Sequence, residues 1–245
     1  MKRTCFALSV ACLFAAGIAG EIAIASFSPV KAAPPGAGLF AALGGLRSAA
    51  AEIVWFRMDA LQEKGRYAEL VQLSSLLTYL EPHESEVWIY SAWNLAYNVS
   101  VRMPREEDRW PWIEEALRLL RDRGLKWNPS SAALYRDLAF MFELKIGADI
   151  DSAAPHYRAE WKKTVEDVMA RNAWSELAME PAEMEAVEKE YGVEDWLDPQ
   201  SSAIYWARLG LVRSTAESLE SGSNGKFLAE TLRQAKVLYD KNHGG

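Results

Sequence analysis

The chain has 245 residues and a formal net charge of -7; 50% of its residues are hydrophobic, and 10 are Trp. That apolar and aromatic content argues against a disordered chain and for one with a sizeable core. The acidic balance, with no stripe of clustered Lys and Arg, argues against a nucleic-acid partner, because phosphate neutralisation needs such a stripe.

In chain order, the first feature is an address. Lys2 and Arg3 precede an apolar run from Thr4 to Gly20, which resumes after Glu21 from Ile22 to Phe27. Residues 1–33 therefore read as an N-terminal hydrophobic export helix, not part of the folded body. Ala23-Ile24-Ala25 would permit cleavage, while the run is also long enough to span a bilayer, which takes about 20 residues. A cleaved signal peptide and an uncleaved membrane anchor both remain open. With Lys2 and Arg3 held inside, the body faces outward in either case. It is expected to be anchored in the inner membrane facing the periplasm, or periplasmic or secreted after cleavage. Both cysteines, Cys5 and Cys12, fall in this segment, so the body has no disulfide, thiolate nucleophile or thiolate metal site. Ser9 stands where a lipobox preceding Cys12 would have Leu.

A linker follows over 34–48, opened by Pro34-Pro35-Gly36-Ala37-Gly38. The body, 49–240, reads as helical hairpins. Ala49 to Lys64 predicts a helix, Gly65-Arg66-Tyr67 a turn, and a second helix ends at Leu80-Glu81-Pro82. A second unit, 85–129, pairs a helix from Ser85 with one over Trp112 to Arg123, separated by a charged insertion from Val101 to Pro111. A third unit, 131–178, turns at Gly147. An acidic stretch from Glu176 to Asp198 precedes a fourth unit, 201–240, broken at Ser221-Gly222-Ser223-Asn224-Gly225.

Three prolines are each followed six positions later by a large aromatic: Pro82 by Trp88, Pro129 by Tyr135 and Pro199 by Tyr205. Together with the Gly65, Tyr67 and Pro82 spacing, this resembles the tetratricopeptide repeat superfamily over roughly Ala49 to Tyr239. The phrases Ala92-Trp93-Asn94-Leu95-Ala96-Tyr97-Asn98, Arg109-Trp110-Pro111-Trp112, Leu119-Leu120-Arg121-Asp122, Lys145-Ile146-Gly147 and Ala203-Ile204-Tyr205-Trp206 also resemble a family of exported bacterial repeat proteins to which no activity attaches. The resemblance implies an all-α fold of stacked antiparallel hairpins, a tetratricopeptide-like α-solenoid, in which the aromatics wedge between hairpins. The insertions in the second and fourth units depart from a uniform repeat.

By that register the inner helices present Glu52, Trp55, Asp59 and Gln62, then Glu86, Ile89, Trp93 and Tyr97, then Arg136, Phe140 and Glu143. The candidate groove residues are accordingly Trp55, Asp59, Trp93, Asn94, Tyr97, Asn98, Arg136, Phe140 and Glu143. Repeats that clamp a C-terminal carboxylate resemble one another in placing Lys and Asn on these helices; here the slots hold Asp59 and Glu86, so an apolar or basic segment suits better. Asn94 and Asn98 lie one turn apart beside Trp93 and Tyr97, a pattern that suits a ligand platform but better suits amides satisfying backbone groups of the neighbouring insertion. Trp110 and Trp112 are expected to pin the insertion, with Arg109 pairing with Glu114 or Asp108 or stacking on a tryptophan. Asp151 reads as a helix N-cap.

His83, His156 and His243 lack paired metal-ligand spacing, and there is no phosphate loop or nucleophile elbow. Nothing in the sequence calls for a cofactor or a metal. The expected function is a non-enzymatic interaction scaffold of the bacterial cell envelope, binding a protein or peptide through an aromatic-lined concave groove and meeting the membrane only through its N-terminal segment. The alternative is an all-α envelope polysaccharide hydrolase with Glu114, Glu115 or Glu143 as general acid.

Overall fold

A computed structural model describes residues 47–244. The export segment and most of the linker lie outside the described residues. The described chain is all-helical, and no helix in it is long and apolar enough to cross a membrane. It divides at Glu81 and Pro82 into two compact units.

The first unit is a hairpin of α1 (Arg47–Glu63) and α2 (Tyr67–Leu80). Helix α1 begins two residues inside the expected linker. Its buried residues Ala51, Val54, Met58 and Leu61 recur at helical spacing, and Leu70, Ser74, Leu77 and Leu80 do the same on α2. The turn is a Schellman motif: Gly65 N–H donates to the Gln62 carbonyl and Arg66 N–H to the Leu61 carbonyl. Gly65 has φ 67°, which explains the glycine there.

In the second unit, α3 (Ser85–Trp93) runs on as a π-helical stretch, Asn94–Val99. Short 3-10 turns at Ser100–Arg102 and Glu106–Asp108 carry the chain to α4 (Trp110–Arg118), which continues through a second π stretch, Leu119–Gly124, and a final turn, Leu125–Trp127. Helix α5 (Ala132–Phe140) likewise ends in a π stretch, Met141–Ile146. There follow α6 (Ala154–Arg171), a 3-10 turn at Trp174–Leu177, α7 (Pro181–Tyr191), α8 (Pro199–Arg213), the short α9 (Ala216–Glu220) and α10 (Asn224–His243). Prolines in the first turns of α4, α6, α7 and α8 cost nothing, since the amide they lack has no partner inside a helix at that position.

Helix α3 packs on α4 and α5, α5 on α8 and α10, and α8 on α10. Helix α6 meets the π stretch of α5, and α7 lies on α8. All three aromatics of the proline spacing are buried. Two make the same bond: Trp88 Nε1–H donates to the Pro82 carbonyl at 2.9 Å, and Tyr135 O–H to the Pro129 carbonyl at 3.1 Å. A proline ends the preceding segment and leaves its carbonyl without a helical donor, and the aromatic six positions on supplies one. The Pro82 carbonyl also accepts from Asn128 at 2.8 Å, which joins the two ends of the α3 and α4 pair. Tyr205 differs. Its hydroxyl accepts from Glu180 N–H at 2.9 Å, because the added helix α7 starts beside it and presents a free amide.

Gly210 on α8 permits a close approach of α8 to α5 and α10. A Cβ there would lie 2.6 Å from Tyr135 Cβ on α5 and 3.0 Å from Leu228 on α10. Gly210→Ala is expected to cost about 1–3 kcal/mol, because Tyr135 Cβ is fixed to its backbone and cannot yield. Trp88→Ala should cost about 3–5 kcal/mol as a large truncation in a packed core. Urea melts that leave either midpoint unchanged would contradict these packing assignments.

Candidate functional site

A cavity of about 370 Å³ lies between α5 and α10, with Trp93 of α3 at its edge. On α5 and its π-helical end the lining residues Arg136, Asp137, Phe140, Glu143 and Leu144 fall at intervals of one, three, three and one; on α10, Phe227, Glu230, Thr231 and Gln234 fall at three, one and three. Each set is one face of a helix, so two helix faces look at one another across the cavity.

Trp93 is half-buried and held in place. Its Nε1–H donates to Asp137 Oδ1 at 2.6 Å; its ring stacks on Tyr97 at 4.4 Å between centroids and lies 5.9 Å from Phe140 at an interplanar angle of 20°. Asp137 is buried, and its second oxygen accepts from Arg136 Nε at 3.0 Å and from the guanidinium NH2 group at 2.6 Å. Arg136 also donates to Asn224 Oδ1 at 2.6 Å, and its guanidinium carbon lies 5.9 Å from the Phe227 ring centroid. The one cation in the lining is therefore compensated by a carboxylate beside it.

Glu143 is not so compensated. It is 4% exposed, and burial pushes its carboxyl up to about 7, helped by the charge of Glu230 and opposed by a hydrogen bond with the Thr231 side chain. Glu230, at the rim, goes the other way: bonds from Arg233 and Gln234 lower it to about 2. The site thus combines three aromatic walls, a neutralised Arg136–Asp137 pair and one buried carboxyl that changes charge near neutrality.

The sequence-derived candidates divide accordingly. Trp93, Arg136, Phe140 and Glu143 come together in the cavity lining. Tyr97 stands behind Trp93, with its hydroxyl buried and unbonded, its ionisation disfavoured by burial, and Lys145 Nζ 5.1 Å from its ring centroid. Asn94 is buried and donates to the Tyr90 carbonyl at 2.9 Å, while Asn98 donates to Asn94 Oδ1 at 2.7 Å. These amides serve each other and their own helix. Trp55 and Asp59 lie on α1 in the first unit, Trp55 half-buried and Asp59 exposed. Sequence reasoning missed the α10 wall, although the spacing of Phe227, Glu230, Thr231 and Gln234 carries it.

A second polar cluster corrects two expectations. Arg109 pairs with Asp151 at 3.3 Å, and Asp108 with Arg105 at 2.8 Å, so the insertion is tied to the loop before α6. Asp151 is not the N-cap of α6, which is Ala153 without a side-chain bond; it accepts instead from Ala153 N–H at 3.0 Å, from the buried Lys145 at 2.7 Å and from Tyr157 O–H at 3.0 Å. Burial alone would raise its carboxyl, but these donors outweigh burial and hold it below the usual carboxylate range. Trp110 is buried, as a pin for the insertion should be. His243 stacks on Tyr239 and meets Asp195 at 3.2 Å, while His83 sits edge-on to Trp127. No group of three or more His, Cys, Asp or Glu side chains suited to a metal occurs among the described residues.

Comparisons with models of protein families, with curated proteins and with solved structures gave no match.

Glu143 makes stability depend on pH in a definite direction. Its carboxyl binds a proton more tightly in the folded chain, at about 7 against 4.5. The stabilisation is complete below 4.5 and is lost as the pH rises from there to about 7, with a slope of at most about 1.4 kcal/mol per pH unit. Glu143→Gln should flatten this part of the profile relative to the unaltered chain, read as urea midpoints at several pH values across the window. Parallel profiles would show that Glu143 ionises as freely folded as unfolded.

Proposed function

We propose that the protein is an interaction scaffold, a tetratricopeptide-like array of helical hairpins that binds a protein or peptide partner in the cavity between α5 and α10. The observation that carries this reading is the aromatic mouth of the cavity: Trp93 and Phe140 are half-buried, and Phe227 is 56% exposed. Large aromatics left open beside a cavity mark binding surfaces, and interaction energy concentrates in a few such residues. The array is supported by the repeated joint, in which Trp88 and Tyr135 make the same bond to a proline carbonyl six positions back. It is supported too by the succession of contacts from α3 to α5 to α8 to α10. Export to the cell envelope rests on Lys2, Arg3 and the apolar run to Phe27.

A second reading is favoured by one observation. A carboxyl held near 7 inside a cavity suits a general acid, so Glu143 also fits an all-α hydrolase of envelope polysaccharide. Against it, the other buried carboxylate in the lining, Asp137, is occupied by Trp93 and Arg136 and so is poorly placed to serve as a base or nucleophile.

The scaffold reading is tested by affinity capture with the full chain. Trp93→Ala is expected to weaken capture of the partner by about 2 kcal/mol, roughly thirtyfold, while the helical circular dichroism signal stays nearly unchanged. Equal capture by the variant and the unaltered chain would remove the cavity from the binding surface. Loss of polysaccharide cleavage in Glu143→Gln, with capture intact, would favour the hydrolase.

A further inference from the structure

We propose that the α5–α10 cavity takes a lysine or arginine side chain of a peptide partner, with the aliphatic stem against Phe140 and Phe227 and the cationic head at the Glu143 carboxylate. This rests on the binding reading above and names the chemistry of the occupant.

Charge complementarity is the first argument. Of the ionisable groups that line the cavity, Arg136 and Asp137 cancel each other through two hydrogen bonds, and Glu230 is engaged at the rim by Arg233 and Gln234. Glu143 remains, a carboxyl on the α5 face with one hydroxyl, that of Thr231, as its hydrogen-bond partner. An ionised carboxylate in such a place lacks a counter-charge, and an ammonium or guanidinium group brought in by a ligand supplies it. An anionic head would meet Glu143 and Glu230 as like charges, and the Arg136 guanidinium that could have offset them is already spent on Asp137 and Asn224.

The walls give the second argument. Trp93 and Phe140 stack on one another, 5.9 Å between centroids and 20° from parallel, and on the opposite wall Phe227 of α10 already receives the Arg136 guanidinium over its ring at 5.9 Å. Aromatic faces attract cations and also bury the methylene stems of long basic side chains. The volume, about 370 Å³, accommodates one extended side chain with part of its backbone, and the exposed Phe227 leaves an apolar shoulder for the residue beside it.

The test pans a phage-displayed library of random 12-residue peptides on the full chain at pH 8. Enriched peptides are then measured against the unaltered protein, Glu143→Gln and Phe227→Ala. Phe227 is exposed, so that variant keeps its fold even if Glu143→Gln does not, and circular dichroism monitors both. Enriched sequences are expected to carry Lys or Arg next to an apolar residue. Their affinity should fall at least tenfold in each variant, and by a similar factor when the basic residue is replaced by norleucine. Enrichment of peptides without a basic residue, yet sensitive to Phe227→Ala, would overturn the basic occupant and leave the scaffold reading standing. Basic peptides that bind both variants as well as the unaltered chain would overturn this site. Displacement of the peptide by free spermidine at equal concentration would overturn a peptide occupant in favour of a small polyamine. No enrichment over an unrelated helical protein would overturn both this inference and the peptide-binding reading.

Discussion

The second unit depends on one helix touching three others. Helix α5 lies against α3, α8 and α10 together, and it can do so because Gly210 lets α8 approach until a Cβ would stand 2.6 Å from Tyr135 Cβ. A close three-way junction of this kind fixes axial positions as well as orientations, since packed interiors leave little room for sliding. Tyr135 serves both sides of the junction. Its ring is buried beside Trp206 of α8, and its hydroxyl satisfies the Pro129 carbonyl where α5 begins.

The cavity follows from that junction. With the axis of α5 set at one end by Tyr135, its other end carries Phe140, Glu143 and Leu144 toward α10, where Phe227, Glu230, Thr231 and Gln234 form the facing wall. Gln200 of α8 donates to the Glu143 backbone carbonyl at 3.0 Å, which secures the π-helical end of α5. Trp93, tied to Asp137, closes one side. Burial of the Glu143 carboxyl, with the charge of Glu230 beside it, is why its proton affinity rises.

Local features are legible in the sequence. The proline and aromatic spacing locates the joints, and a period of 3.6 residues by itself puts Arg136, Phe140 and Glu143 on one helix face. What is not legible depends on distant partners. The α10 wall is far along the chain from α5, and no local pattern says which helix will face which. Arg109 finds Asp151 across 42 positions, whereas the nearer Asp108 and Glu114 are equally suitable by spacing. Asn94 adjoins Trp93 in the sequence but is buried, its amide turned back to the Tyr90 carbonyl of its own helix. Tyr205 shares its spacing with Trp88 and Tyr135 but serves α7, an element with no counterpart at the other two joints.

The central claim is that packing around α5 raises the proton affinity of one carboxyl that lines an aromatic cavity, so that it changes charge near neutrality. The direct measurement is the titration of the Glu143 side-chain carboxyl by NMR, using chain labelled with ¹³C at Glu and assigned with Glu143→Gln. The account predicts a midpoint displaced upward to about 7. A midpoint at the ordinary value of 4.5 would contradict it, because the carboxyl would then ionise as readily in the cavity as in water.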